Sequence, residues 1–380
     1  MKVVHFIDTP RMGGAERVLE HIVEACVRSG HEVTVLAPQP WLLQRIATVV
    51  PEAATGVAGS DGYASAGGVG RRVVALTNQL FQLVRALRRA SPDVVHVHNG
   101  GYPGSDLCRI CMLAAGVAGV PRRLLTVHAA PRGRNESYAT LQTIVDRAVW
   151  WASQTVIGAT EVVGGQLQEL RGMPPDGRWV RIPYGVPEPD GAREAAVLRA
   201  RLGVGGDELL VGMIAATDDH QKGHHVLVEA LGLGSGPRAV VAGARLPNAA
   251  AARAAELGLG ERLIAVGRLP AIGPLFHAID VLVVPSVSDE SLPLVVLEAM
   301  ASSKPVVASR LSGIPEAVVD GQTGRLFQPG DAGALFHALA ELARNPEHRR
   351  GYAEAGRERW RQQYSVQAMT GATLSLYERH

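Results

Sequence analysis

The chain has 380 residues, 47% of them hydrophobic, and its 38 basic and 36 acidic residues leave a formal charge of +2. That length and apolar content suit two packed domains, and a charge so near neutral removes the general case for nucleic acid or an anionic membrane as the main partner. Three cysteines (Cys26, Cys108, Cys111) are too few for a disulfide framework, the start MKVVHFIDTP reaches Asp8 before a signal-peptide core can form, and no run nears the roughly 20 apolar residues of a membrane span, so a cytoplasmic protein is expected.

In chain order, VVHFI at 3–7 reads as a buried strand, MGGAER at 12–17 as a glycine-rich turn opening the helix AERVLEHIVEACV, and EVTVLA at 32–37 as a second strand. The segment GRRVVALTNQLFQLVRALRRA (70–90), with five arginines near its ends, reads as a sheet-packing helix with at most weak membrane association. Strands follow at DVVHVH (93–98), LLTVH (124–128) and TVIGA (155–159). Cys108 and Cys111 sit one helical turn apart with no second ligand pair, which fits a buried helix face better than a metal site. Five prolines in RGMPPDGRWVRIPYGVPEPDG (171–191) mark a hinge without periodicity. The strand pattern then restarts with ELLVGMIAA (208–216), RAVVAGA (238–244), RLIAVG (262–267), DVLVVP (280–285) and PVVAS (305–309).

Continuous apolar strands alternating with helices make parallel sheets covered on both faces. The expected fold is therefore α/β, with two Rossmann-like doubly wound domains at 1–180 and 181–360 and a final helix at 361–380 packing back on the first. Ligands in such sheets sit beyond the carboxyl ends of the strands, here in a cleft between the domains. DESLPLVVLEAM (289–300) follows one of those ends. Ser291 suits an N-cap and Pro293 the first turn, which places Glu290 beside a helix N-terminus and Glu298 inside the helix. A helix-start acid and a solvated helical acid would read the same way. Gly13 and Gly14 can bring backbone N–H groups to a phosphate, or simply make a tight turn. Lysine occurs only at positions 2, 222 and 304, so Lys222 in a strand-end loop stands out as a point charge for an anion. The loops NGGYPGSD (99–106) and APRGRNES (130–137) belong to the first domain's ligand side, and His128 ends a strand there.

Residues 285–327, PSVSDESLPLVVLEAMASSKPVVASRLSGIPEAVVDGQTGRLF, resemble the donor-binding region of the retaining glycosyltransferases of family four, which have the GT-B fold. Glu290 and Glu298 match the family's E-x7-E signature. MGGAER, HVH (96–98), TVH (126–128), IPYGV (182–186) and QKG (221–223) fall in the family's order across more than three hundred residues. The resemblance implies a nucleotide-sugar-dependent enzyme with no cofactor and no metal, consistent with the absence of any D-x-D motif. It assigns Glu298 to the ribose hydroxyls, Glu290 to the donor sugar, Ser291, Leu292, Pro293 and Leu294 to the sugar through their backbone, and Lys222, Gly13, Gly14 and Arg268 to the diphosphate. His128 falls beside the reacting sugar, and we place the acceptor at His98, Asn99, Gly101, Tyr102 and Arg132. The catalytic set is then His128, Glu290 and Lys222.

Three departures stand out. Ala215, Ala216 and Thr217 occupy the place where the family puts an arginine on the phosphates, Ser303 replaces a frequent glycine, and Tyr184 a frequent asparagine. The missing arginine keeps a noncatalytic nucleotide-sugar-binding homologue open, and the shared fold alone keeps open a nucleotide-sugar epimerase or hydrolase, which would consume donor without any acceptor. A nicotinamide oxidoreductase is disfavoured, because GGVG at 67–70 lacks both the context and the third glycine of a dinucleotide fingerprint. The expected donor is UDP-GlcNAc, with UDP-glucose and GDP-mannose as alternatives. An Arg- and Ala-rich composition suggests a bacterial gene. The expected acceptor is a small soluble hydroxylated molecule such as a secondary-metabolite (antibiotic) intermediate, the alternative being a lipid-linked or cell-envelope acceptor.

Overall fold

A computed structural model describes residues 1–10, 12–58, 69–206, 208–215, 217, 220–243, 245–288 and 290–378, with the side chains at 69, 70, 72 and 73 left aside. Two glycines of GGVG (67 and 68), Ala216 of the arginine position and Asp289 of DESLPLVV lie outside the described residues. The chain divides into two units, Met1–Pro183 with Met369–His380, and Tyr184–Ala368. The first division lies three residues beyond the expected 180/181 and the second eight beyond 360/361.

The first unit carries a parallel sheet of seven strands: β1 Lys2–Ile7, β2 Glu32–Ala37, β3 Ala54–Val57, β4 Val94–Asn99, β5 Arg122–Val127, β6 Thr155–Gly158 and β7 Trp179–Arg181. They run in the order β3-β2-β1-β4-β5-β6-β7, the doubly wound arrangement in which the chain reverses direction between β1 and β4. β4 is buried along its whole length and β1 at every residue but Lys2, which is why they read as nearly unbroken apolar runs. Helices Asp106–Ala118 and Ala139–Ala152 cover the sheet with Leu107, Cys108, Cys111, Met112 and Trp150. Cys108 and Cys111 are thus core residues, and burial pushes the Cys108 thiol up to about 12.

The second unit repeats the plan with six strands: β8 Leu210–Ala215, β9 Arg238–Gly243, β10 Leu263–Gly267, β11 Val281–Val284, β12 Val306–Ser309 and β13 Gly324–Phe327. Their order is β10-β9-β8-β11-β12-β13, so the reversal falls between β8 and β11. Both units are therefore Rossmann-like. Among the described residues no helix is long and apolar enough to cross a membrane.

Three serines among the described residues hold a left-handed backbone that normally favours glycine: Ser91, at φ 44°, Ser303, at φ 54°, just past the helix Leu294–Ala301, and Ser312, at φ 46°. At Ser303 the turn is closed by the Lys304 N–H on the Ala299 carbonyl at 2.9 Å, the pattern of a glycine-ended helix. Removing the Cβ relieves a cost of about 1 kcal/mol. Ser303→Gly is therefore expected to raise the unfolding free energy by about that amount in urea titration, and no change or a loss would show that the side chain compensates.

Candidate functional site

The reversal between β8 and β11 places two loop segments side by side at the strand ends. Pro285 and Ser286 follow β11 directly, and the single 3-10 turn His220–Lys222 lies in the loop after β8. The Val287 N–H donates to the Gln221 carbonyl at 2.8 Å, which ties the loops together. Gly223, at φ +72°, follows Lys222. A Cβ there would lie 1.8 Å from the Pro285 carbonyl oxygen, so only glycine permits the approach.

That approach brings Lys222 to Glu290. Lys222 Nζ donates to Glu290 Oε1 at 2.6 Å, and Ser286 Oγ donates to the same oxygen at 2.8 Å. Glu290 is buried and the lysine side chain is 25% exposed, so the pair is partly desolvated and its cation still reaches solvent. Ser286 was not among the expected residues, although it directly follows the switch-point strand VLVVP.

Helix Leu294–Ala301 starts later than the sequence suggested. Its N-cap is Pro293 and no side chain caps it. Ser291 is not the cap: its Oγ is buried without a hydrogen-bond partner among the described residues, while its carbonyl accepts from the Gly313 N–H at 3.0 Å. Leu292 is buried, anchoring the loop, and Glu298 lies half-buried in the middle of the helix. Arg268 is exposed just past β10, two strands from β8 and so roughly 10 Å away across the sheet. The geometry joins Lys222 to Glu290 and does not bring Arg268 to them.

In the first unit Gly13 caps the helix Gly14–Arg28, and its N–H donates to Glu16 Oε2 at 2.6 Å. At Gly13, where the resemblance implied a phosphate contact, the N–H meets the chain's own carboxylate. The Glu16 carboxylate sits at the helix N-terminus, where the helix dipole favours negative charge, and answers this one N–H group, while glycine has no side chain to return a bond. The Gly13 backbone is extended (φ −153°), a conformation that does not require glycine.

Of the five expected acceptor contacts, His98, Asn99 and Tyr102 have side chains buried in the protein. His98 is fully buried with Nε2 at 3.1 Å from His5 Nδ1 and Nδ1 at 3.3 Å from His128 Nε2. Asn99 is equally buried; its amide donates to the Pro103 carbonyl at 3.1 Å and accepts from the Ser105 N–H at 3.0 Å. The Tyr102 hydroxyl donates to Asp146, which also pairs with the buried Arg171 at 3.0 Å and with Arg134 at 3.1 Å. This network fastens the loops around 102 and 134 to each other. Gly101, half-buried, and Arg132, exposed, stay at the surface.

His128 itself is 7% exposed, and burial lowers its pKa to about 4, so it is neutral. His5, lowered to about 3, and His96 and His98, both held well below the ordinary value by burial, are neutral too. His5, His96 and His98 bring ring nitrogens within 4.8 Å of one another. They do not form a ready metal site. His96 meets the Tyr377 hydroxyl at 2.6 Å and Thr126 Oγ1 at 2.7 Å, and His5 and His98 face each other.

Residues 196–359 match the family described as glycosyl transferases group 1, and residues 12–188 match glycosyltransferase family 4. The chain is 35% identical over 123 residues to the phosphatidyl-myo-inositol mannosyltransferase of Mycobacterium leprae (strain TN), covering 32% of this chain and 33% of that protein. It is 33% identical over 174 residues to the D-inositol 3-phosphate glycosyltransferase of Corynebacterium glutamicum (strain R), covering 45% and 40%. The matched part thus spans about a third to two fifths of these curated relatives. A crystal structure of a glycosyltransferase from Rickettsia africae ESF-5 superposes over 99% of this chain and 97% of its own, with a TM-score of 0.84 at 18% identity.

Proposed function

The chain belongs to the family-four glycosyltransferases of GT-B fold, and from that premise we propose that it transfers a sugar from a nucleotide diphosphate to an acceptor hydroxyl with retention at the anomeric carbon. The observation that carries this reading is the Lys222–Glu290 pair at the switch point of the second sheet, with Glu298 on the helix that follows. An ammonium reaching solvent beside a desolvated carboxylate offers a charge for the diphosphate and an acceptor for sugar hydroxyl protons. Glu298 is our choice for the ribose diol.

No covalent intermediate is needed in this reading. The acceptor oxygen bonds to the anomeric carbon on the face from which the diphosphate leaves, and the departing phosphate oxygen takes the acceptor's proton. UDP-GlcNAc is the first donor to test, beside UDP-glucose and GDP-mannose. For the acceptor, the names of the two relatives favour a polyol, free as an inositol phosphate or borne on a lipid, over the secondary-metabolite intermediate. Proton NMR of the product formed in excess EDTA tests both halves of the proposal. We expect turnover to persist and the donor's anomeric configuration to be kept. An inverted product would overturn the retaining reaction, and activity restored only by magnesium would overturn phosphate binding by protein groups alone.

A further inference from the structure

We propose that His5 and His98 are positioning residues for His128, in a hydrogen-bonded file of three imidazoles that forces all three rings into one shared tautomer. What the file does for catalysis rests on the reading of His128 as the residue beside the reacting sugar; the file itself does not.

The file follows from register. His5 of β1 pairs with His96 of β4, and His98 pairs with Thr126 of β5. Alternate residues of a strand share a face, so His5, His96, His98, Thr126 and His128 all project from the same side of the first sheet. Cys26 and Tyr377 reach this cluster, with Cys26 Sγ 3.8 Å from His5 Nε2 and the Tyr377 hydroxyl on His96. Three rings connect end to end: His5 Nδ1 to His98 Nε2 at 3.1 Å, then His98 Nδ1 to His128 Nε2 at 3.3 Å. The last two rings are nearly parallel, at 17°.

A neutral imidazole has one N–H and one lone pair. His98, engaged at both nitrogens, must therefore donate at one end and accept at the other. If His98 carries its proton on Nδ1, His128 accepts at Nε2 and holds its own proton on Nδ1, and His5 must donate from Nδ1. If His98 carries its proton on Nε2, the other two rings follow to Nε2. Any mixed arrangement sets two N–H groups or two lone pairs against each other at about 3 Å, which burial makes costly. His96 is exempt, because its partners are hydroxyls that can donate or accept. The Cys26 thiol, pushed up to about 12, stays protonated and can serve either polarity at the inner end. Since burial keeps all three rings neutral, the file decides whether His128 offers a ligand a donor or an acceptor. A sugar hydroxyl or phosphate oxygen accepting from His128 Nδ1 would require the state with all three protons on Nδ1.

The test is long-range proton–nitrogen NMR of protein labelled with 15N-histidine, which separates protonated from bare ring nitrogens. In wild type, His5, His98 and His128 should all carry the proton on the same nitrogen. Folded His5→Phe, which cuts the file at its inner end, should change the tautomer populations of His128. Differing tautomers among the three wild-type rings would overturn the proposal, and this needs no variant to fold. So would a His128 signature unchanged in His5→Phe. If that signature changes while turnover does not, the file stands and the assignment of His128 to the reaction falls.

Discussion

Lys222→Ala is expected to lower turnover by on the order of a hundredfold or more, the usual consequence of removing a charged stabiliser from a developing oxyanion. The size of the effect follows from how little else at the end of β8 carries positive charge. Where the family places an arginine, Ala215 is buried and apolar and Thr217 is uncharged. Arg268 lies two strands away, and Gly13 has answered its N–H with Glu16. Lys222→Arg should recover part of the activity, since a guanidinium restores the charge but not the shape that meets Glu290 at 2.6 Å. Truncation also strips a buried carboxylate of its cation, so rates are to be compared at a temperature where circular dichroism shows each variant folded. Turnover of folded Lys222→Ala close to wild type would remove Lys222 from the phosphate site.

The histidine cluster should make the first unit sensitive to mild acid. In the unfolded chain a histidine titrates near 6.5, whereas burial lowers His5 to about 3 and His128 to about 4 and holds His96 and His98 well below 6.5. Well above pH 6.5 the rings are neutral in both states and contribute no pH dependence. Below it the unfolded chain binds protons that the folded chain refuses, so stability falls as the pH drops from 6.5 towards the folded values. Each histidine approaches a loss of about 1.4 kcal/mol per pH unit. For four such groups the loss between pH 7.5 and 5.5 is on the order of 5 kcal/mol, comparable with the whole stability of many domains. Denaturant titrations at pH 7.5, 6.5 and 5.5 check this, and a flat profile would mean that the rings are not held neutral.

The sequence revealed the fold where burial is two-sided. The inner strands β1, β4, β5, β8 and β11 announce themselves as β-branched runs because both faces are covered. The strands it did not reveal, β3, β7 and β13, all lie at sheet edges, where residues such as Ala54–Val57 and Trp179–Arg181 are exposed or half-buried and leave no apolar run to read. For the same reason the proline-rich hinge concealed a strand. At the site, Lys222 and Glu290 were legible because each falls in a loop beyond a recognisable strand, and the doubly wound order brings those strand ends together. Glu16 answering Gly13 is a local feature that the glycines masked: a glycine turn before a helix looks the same whether an external anion or the chain's own carboxylate fills it. His98 could not be placed from sequence, because which strand faces which, and in what register, decides whether a strand-end histidine meets solvent or two other histidines.

Calorimetric titration of UDP, GDP and their sugar nucleotides into wild type, Glu290→Ala and Glu298→Ala tests the central claim most directly. The account predicts that wild type binds one of the two nucleotides and its sugar derivative at a single site. Glu298→Ala should weaken both ligands about tenfold or more, and Glu290→Ala should spare the free nucleotide while weakening the sugar nucleotide. Wild-type protein that binds none of these ligands, or a Glu298→Ala variant that binds the nucleotide as tightly as wild type, would contradict it.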